Sequence, residues 1–132
     1  MISRRLALLA VLLLSGPAHA ATDCAKAMTT ADMSACAAQT QKAAEQALND
    51  TYRRVLAKLD GTGAKNTRRA DVKTTLVDAQ RHWIRFRDAD CKAVRTWYGD
   101  GSMAGMAMLG CMQSRAETRT RELQRYLEET GP

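Results

Sequence analysis

Four cysteines, Cys24, Cys36, Cys91 and Cys111, are the residues of this 132-residue chain with the most constrained chemistry. None stands in a C-x-x-C pair, the spacing that a zinc site or a dithiol redox centre would use. Structural disulfides are therefore the expectation. A second group, Met103, Met106, Met108 and Met112, carries thioethers of the kind that select Cu(I) in exported compartments. Methionines at helical spacing also fill irregular core space, and no histidine lies near them. Packing is the leading reading of these four, and a periplasmic metal-binding module is the alternative. Asp88 and Asp90 sit among Arg85, Arg87 and Lys92, so ion pairing accounts for them without a glycosidase-like pair. Beyond residue 20, His82 is the one histidine. No catalytic set, metal site or cofactor is assigned, and the chain reads as not an enzyme.

The compartment follows from the first twenty residues. Arg4 and Arg5 precede the apolar run Leu6 to Leu14, and Ala18-His19-Ala20 forms an A-x-A cleavage site. The run is much shorter than the about 20 residues a membrane span requires. Residues 1–20 read as a cleaved signal peptide, and 21–132 as one domain without a membrane anchor. Asp23, just before Cys24, argues against lipid acylation there. Loss of Arg4 and Arg5 lowers the formal charge from +6 to +4. That mild, dispersed excess excludes nucleic acid as the expected partner of a periplasmic or secreted protein.

Three helical segments must position these residues. In the first, Thr30 to Asp60, Thr29 and Asp32 have capping-box spacing, and Gly61 and Gly63 end the pattern. Met33, Cys36, Ala37, Thr40, Ala44, Ala47, Leu48, Tyr52, Val55 and Leu59 follow one face. Lys42, Glu45, Gln46, Asp50, Arg53 and Arg54 occupy the other. A polar connector runs from Gly61 to Ala70. The second helix, Asp71 to Tyr98, shows the stripe Val72, Leu76, Ala79, Trp83, Phe86, Val94 and Trp97. Gln80, Ile84, Arg87, Cys91 and Tyr98 lie beside it. After Gly99-Asp100-Gly101-Ser102 a third helix continues to about Glu129 through Leu109, Met112, Ala116, Arg119, Leu123 and Leu127. This pattern predicts an all-α fold, a small antiparallel three-helix bundle stapled by two disulfides.

Helix rise suggests which cysteines pair. Cys91 lies seven residues before Tyr98 and Cys111 nine after Ser102, placing both roughly 10–14 Å from the same bend. Cys24 and Cys36 flank the Thr29-Thr30 turn in the same manner. Cys24–Cys36 with Cys91–Cys111 is favoured. Cys24–Cys111 with Cys36–Cys91 is the rival, because all four fall at one end of the bundle.

Gln80 and Arg87 share a partly apolar helix face, where an unpaired polar group costs several kcal/mol. A buried polar network is expected, made by Asn49, Tyr52, Gln80, Arg87 and Arg119, with Glu117 as a further acceptor. An anion-binding site is the functional alternative to this purely architectural role.

The same residues carry a resemblance. Two cysteines twelve apart precede Leu48-Asn49-x-x-Tyr52, and then comes Ala79-Gln80-x-x-Trp83-Ile84-x-Phe86-Arg87-Asp88-x-x-Cys91. Gly101-Ser102, Cys111 and Arg119-x-x-x-Leu123 complete the series. This ordered set resembles the LprI-like lysozyme-inhibitor domain family of bacterial envelope proteins, across the whole chain after residue 20. Phe86 stands where a tyrosine is usual, and Ala116 where a threonine is common. The resemblance implies a non-catalytic envelope protein whose partner is lysozyme or another envelope protein. A cell-wall-binding structural protein is a further alternative. Under the inhibitor reading, the loop Gly99, Asp100, Gly101 and Ser102 is the candidate contact. Asp100 would offer a carboxylate to a cleft, and the glycines would allow close backbone approach. Otherwise such a sequence makes a plain turn. The residues leave the oligomeric state open.

Overall fold

The computed structural model describes residues 23–61 and 67–128. A 3₁₀ turn at Cys24–Lys26 leads to α1 (Thr30–Asp60), α2 (Thr67–Trp97) and α3 (Ser102–Glu128), with no strand among the described residues. The expected signal peptide, residues 1–20, and position 129 lie outside the described residues, as does the middle of the expected connector, 62–66. α2 begins at Thr67, earlier than the expected Asp71. Thr67, Arg68, Arg69 and Ala70 include no helix breaker, so their polarity marks an exposed first turn and not a loop.

The start of α1 is set locally. Thr29 Oγ1 accepts from the Asp32 amide at 3.1 Å, and Asp32 Oδ2 accepts from the Thr29 amide at 3.2 Å. The Thr29 hydroxyl also donates to that carboxylate at 2.7 Å. The hydroxyl first, and the amide second, hold the Asp32 carboxyl below the ordinary 3.8 of an aspartate. Because the folded value lies below the unfolded one, this contribution to stability is present above pH 3.8 and disappears as pH falls through the folded value. A proton titration followed by NMR should therefore show Asp32 ionising below the unfolded-chain value. Thr29→Ala should raise it back and cost about 1 kcal/mol through the lost cap.

Cross-helix pairs establish the topology. Lys73 of α2 pairs with Asp60 at the end of α1, while Arg87, farther along α2, reaches back to Glu45. Arg119 of α3 meets Gln80, and Arg115 meets Asp90. Both series run in opposite directions, so α2 is antiparallel to its neighbours. α1 and α3 are parallel, and Lys58 Nζ donates to the Tyr126 and Leu127 carbonyls, at 2.9 Å each, where both helices end.

Most of the core lies between α1 and α3, which pack more extensively on each other than either does on α2. Leu48 and Val55 of α1 and Leu123 of α3 are fully buried, joined by Ala44, Ala116 and Leu76. Tyr52, Leu56, Leu59, Trp83 and Leu127 close the edges. The alanines keep the α1 and α3 axes close. Burial of Leu48, Val55, Leu76 and Leu123 is worth about 1.5–3 kcal/mol each.

Both disulfides follow the favoured pairing, which removes the rival. Cys24–Cys36 joins the 3₁₀ turn to α1 with 5.6 Å between Cα atoms. Cys91–Cys111 staples α2 to α3 with 5.5 Å between Cα atoms.

Several expected core positions are corrected. On α1, Met33, Thr40 and Ala47 are exposed. On α2 the inward line is Leu76, Gln80, Arg87 and Cys91, while Ala79, Phe86 and Trp97 face solvent. The helix is thus turned toward its polar flank. Three attachments on that flank, the Cys91 disulfide, the Arg87 pairing and the Gln80 hydrogen bond, hold it there.

Candidate functional site

Arg87 is the most heavily engaged side chain of the α2 interior. It is 9% exposed, its Nη1 donates to Glu45, and Nε and Nη2 donate to Asp88 Oδ1 at 2.9 and 2.7 Å. Its guanidinium also lies over the Trp83 ring, 5.2 Å from the centroid. The second half of the cluster joins α2 to α3. Arg119 Nε donates to the buried Gln80 Oε1 at 2.9 Å, and Nη1 to Glu122 at 2.8 Å. No buried side-chain nitrogen or oxygen among the described residues lacks a partner. Such a connected set fixes helix register.

Some expected members fall elsewhere. Asn49 is exposed, one helical turn beyond the Glu45 that pairs with Arg87. Tyr52 packs on the apolar core, and Glu117 is exposed and accepts from Gln113 at 2.8 Å. Glu45, which the helical pattern assigned to the outer face, is the acceptor instead. It shares the α2-facing flank of α1 with Tyr52, Leu56 and Leu59. Binary patterning cannot reveal this, because a flank position reads as polar until a partner is known.

The other cluster lies at the end of the bundle where α1 starts and α2 turns into α3. Gly99 adopts φ +74°, a left-handed conformation suited to glycine, and its amide donates to the Thr96 carbonyl at 3.1 Å. Asp100, Gly101 and Ser102 are all exposed, and α3 begins at Ser102. A Cβ placed on Gly101 would meet nothing within 4 Å. Around this turn the apolar residues project outward. Trp97 is 89% exposed, Tyr98 53% and Met103 56%. Because α1 and α3 are parallel, the exposed Met28 and Met33 belong to the same end, as does the Cys24–Cys36 bond. Trp97, read from spacing as part of the apolar stripe of α2, therefore does not join the core.

The remaining methionines, Met106, Met108 and Met112, are half-buried along α3. Asp90 lies beside Cys91 and Cys111, the one grouping of possible metal donors among the described residues. The two sulfurs are bonded to each other, and Asp90 is paired with Arg115 at 2.8 Å, so the group offers no free ligand set. No helix among the described residues is long and apolar enough to cross a membrane.

These features define a disulfide-stapled three-helix domain with an aromatic and thioether surface at one end. The chain belongs to the lysozyme inhibitor LprI family, whose profile matches residues 21–123. It is also similar to an uncharacterized protein of Rhizobium meliloti (strain 1021), 36% identical over 110 residues that cover 80% of this chain and 79% of the relative. No solved structure matches it.

Proposed function

We propose that the protein is a non-catalytic, extracytoplasmic inhibitor of lysozyme that acts by inserting the α2–α3 turn into the enzyme's cleft. The observation that carries this reading is the 89% exposure of Trp97 beside exposed Tyr98, Asp100 and Met103. A tryptophan held in water has lost the burial that would stabilise the fold, and such residues commonly anchor protein contacts. The family membership, the disulfides and the signal-like N-terminus support the location. Asp100 would accept hydrogen bonds in the cleft, and Gly101 leaves room for close backbone approach.

The test is lysis of cell-wall substrate by several lysozyme types in the presence of the mature protein. Trp97→Ala should weaken inhibition about 30-fold, a typical anchor loss. Asp100→Ala should weaken it about tenfold, the effect of one charge-assisted hydrogen bond. Neither should move the thermal midpoint appreciably. Gly101→Ala should fold normally, since its Cβ meets nothing in the free protein, yet lose affinity if the cleft wall reaches the backbone. At a mature charge of +4, association with a basic lysozyme should accelerate as salt screens their repulsion. Absence of inhibition at micromolar protein against every lysozyme type would overturn the proposal.

A further inference from the structure

The outward face of α2 carries a pattern that the inhibitor reading does not use. Val72, Ala79, Phe86 and Ala93 recur every seven residues, and Thr75, His82 and Ala89 follow the first three by three residues each. This is a coiled-coil seam by spacing, and the bundle does not cover it. All are exposed except the half-buried Val72. Phe86 is 53% exposed and has the Arg115 guanidinium 5.4 Å from its ring centroid.

A third row runs along the solvent side of this seam. Asp71, Asp78, Arg85 and Lys92 are again seven residues apart, all exposed, two acids followed by two bases. Asp71, Arg85 and Lys92 form no ion pair within the described residues, and Asp78 has only the exposed Arg81 of its own helix.

We infer that α2 pairs with α2 of a second copy of this chain, antiparallel, about a two-fold axis near Arg81. In that register Asp71 faces Lys92 of the second copy and Asp78 faces Arg85, and the two-fold repeats both pairs. The seam then meets small against large. Phe86 lies over Thr75 of the other chain, Val72 over Ala89, and Ala79 over His82. A parallel pairing would set the charged row against the row of Leu76, Trp83 and Asp90, which is buried or half-buried in the bundle and supplies no matching charges. The self-inverting charge order selects this occupant, because only a copy read backwards supplies the matching row. The α2–α3 turn lies beyond the paired segment and stays free.

Sedimentation equilibrium of the mature protein tests this, with circular dichroism confirming that each variant is folded. The wild type should be a dimer at micromolar concentration, weakened by salt. Arg85→Asp with Lys92→Asp turns four attractive pairs into repulsive ones and should weaken self-association at least about tenfold. Asp71→Lys with Asp78→Lys should do the same. Mixing these two folded variants should restore a one-to-one dimer, since one row is then wholly acidic and the other wholly basic. A wild type that remains monomeric at about 100 μM, well above the range expected of a specific interface, would overturn the inference. So would folded variants that still self-associate, or a mixture that does not pair.

Discussion

Arg87→Ala should destabilise the protein by about 3–5 kcal/mol in a urea titration, the range for breaking a buried pair by removing one partner. The guanidinium satisfies Glu45 on α1 and Asp88 on its own helix, and it covers the face of Trp83. Its removal leaves the Glu45 carboxylate, 23% exposed, beside apolar side chains without its cation. It also opens the contact that connects the sparsely packed α1–α2 pair. Arg87→Lys should rescue little, because an ammonium cannot serve two carboxylates in the same planar fork. Arg53 provides the contrast. Among the described residues it pairs only with Asp50 on the same helix, with 72% and 63% of the two side chains exposed. Arg53→Ala should change stability by less than about 0.5 kcal/mol. Equal losses for the two arginines would mean that the buried cluster contributes no more than a surface pair.

Removing the Cys91–Cys111 bond should lower the thermal midpoint by roughly 12–24 °C, from a loss of about 3 kcal/mol. Cys91 is fully buried and the bond joins two helices across their interface. Without it the unfolded chain gains freedom over the 20-residue separation. α2, which packs less extensively on α1 than on α3, also loses its covalent hold on the bundle. The other disulfide should behave differently. Cys24 is exposed and tethers only a 3₁₀ turn to the first turns of α1. Changing Cys24 and Cys36 to alanine should fray that segment locally and shift the global midpoint by no more than about 5 °C. Mild reduction followed by alkylation should label Cys24 and Cys36 before Cys91 and Cys111. The reverse order, or equal midpoint losses, would contradict this division between a local tether and a global staple.

How far the residues alone reach is seen best helix by helix. On α1 the inward line Ala44, Leu48, Val55 belongs to the face read from spacing, and the Thr29–Asp32 cap marks the first turn. On α3 the residues Ala116 and Leu123 are buried where expected. Both helices pack along a long shared interface, so their apolar stripe is the physical determinant and is written in the sequence. Helix rise favours the observed disulfide pairing by bringing Cys91 and Cys111 to one depth, but the rival Cys24–Cys111 with Cys36–Cys91 is removed only by the structure.

α2 is where local reasoning ends. Of its apolar stripe, Ala79, Phe86 and Trp97 are exposed while Leu76 is buried and Trp83 half-buried, and its polar flank with Gln80 and Arg87 is buried. Periodicity reports which side chains share a face, but not which face meets a neighbour. For a helix packed chiefly against one other, that choice belongs to the long-range attachments of Cys91 to Cys111, Arg87 to Glu45 and Arg119 to Gln80. For the same reason Glu45 and Asn49, four residues apart on one flank of α1, have different fates. Only Glu45 stands level with the α2 arginine. The sequence by itself determined an all-helical chain, its three segments and the cap of the first, because each depends on spacing within a few turns. Tertiary structure alone decided the rotation of α2, the acceptor for Arg87 and the outward display of Trp97, because each depends on partners far away in the chain.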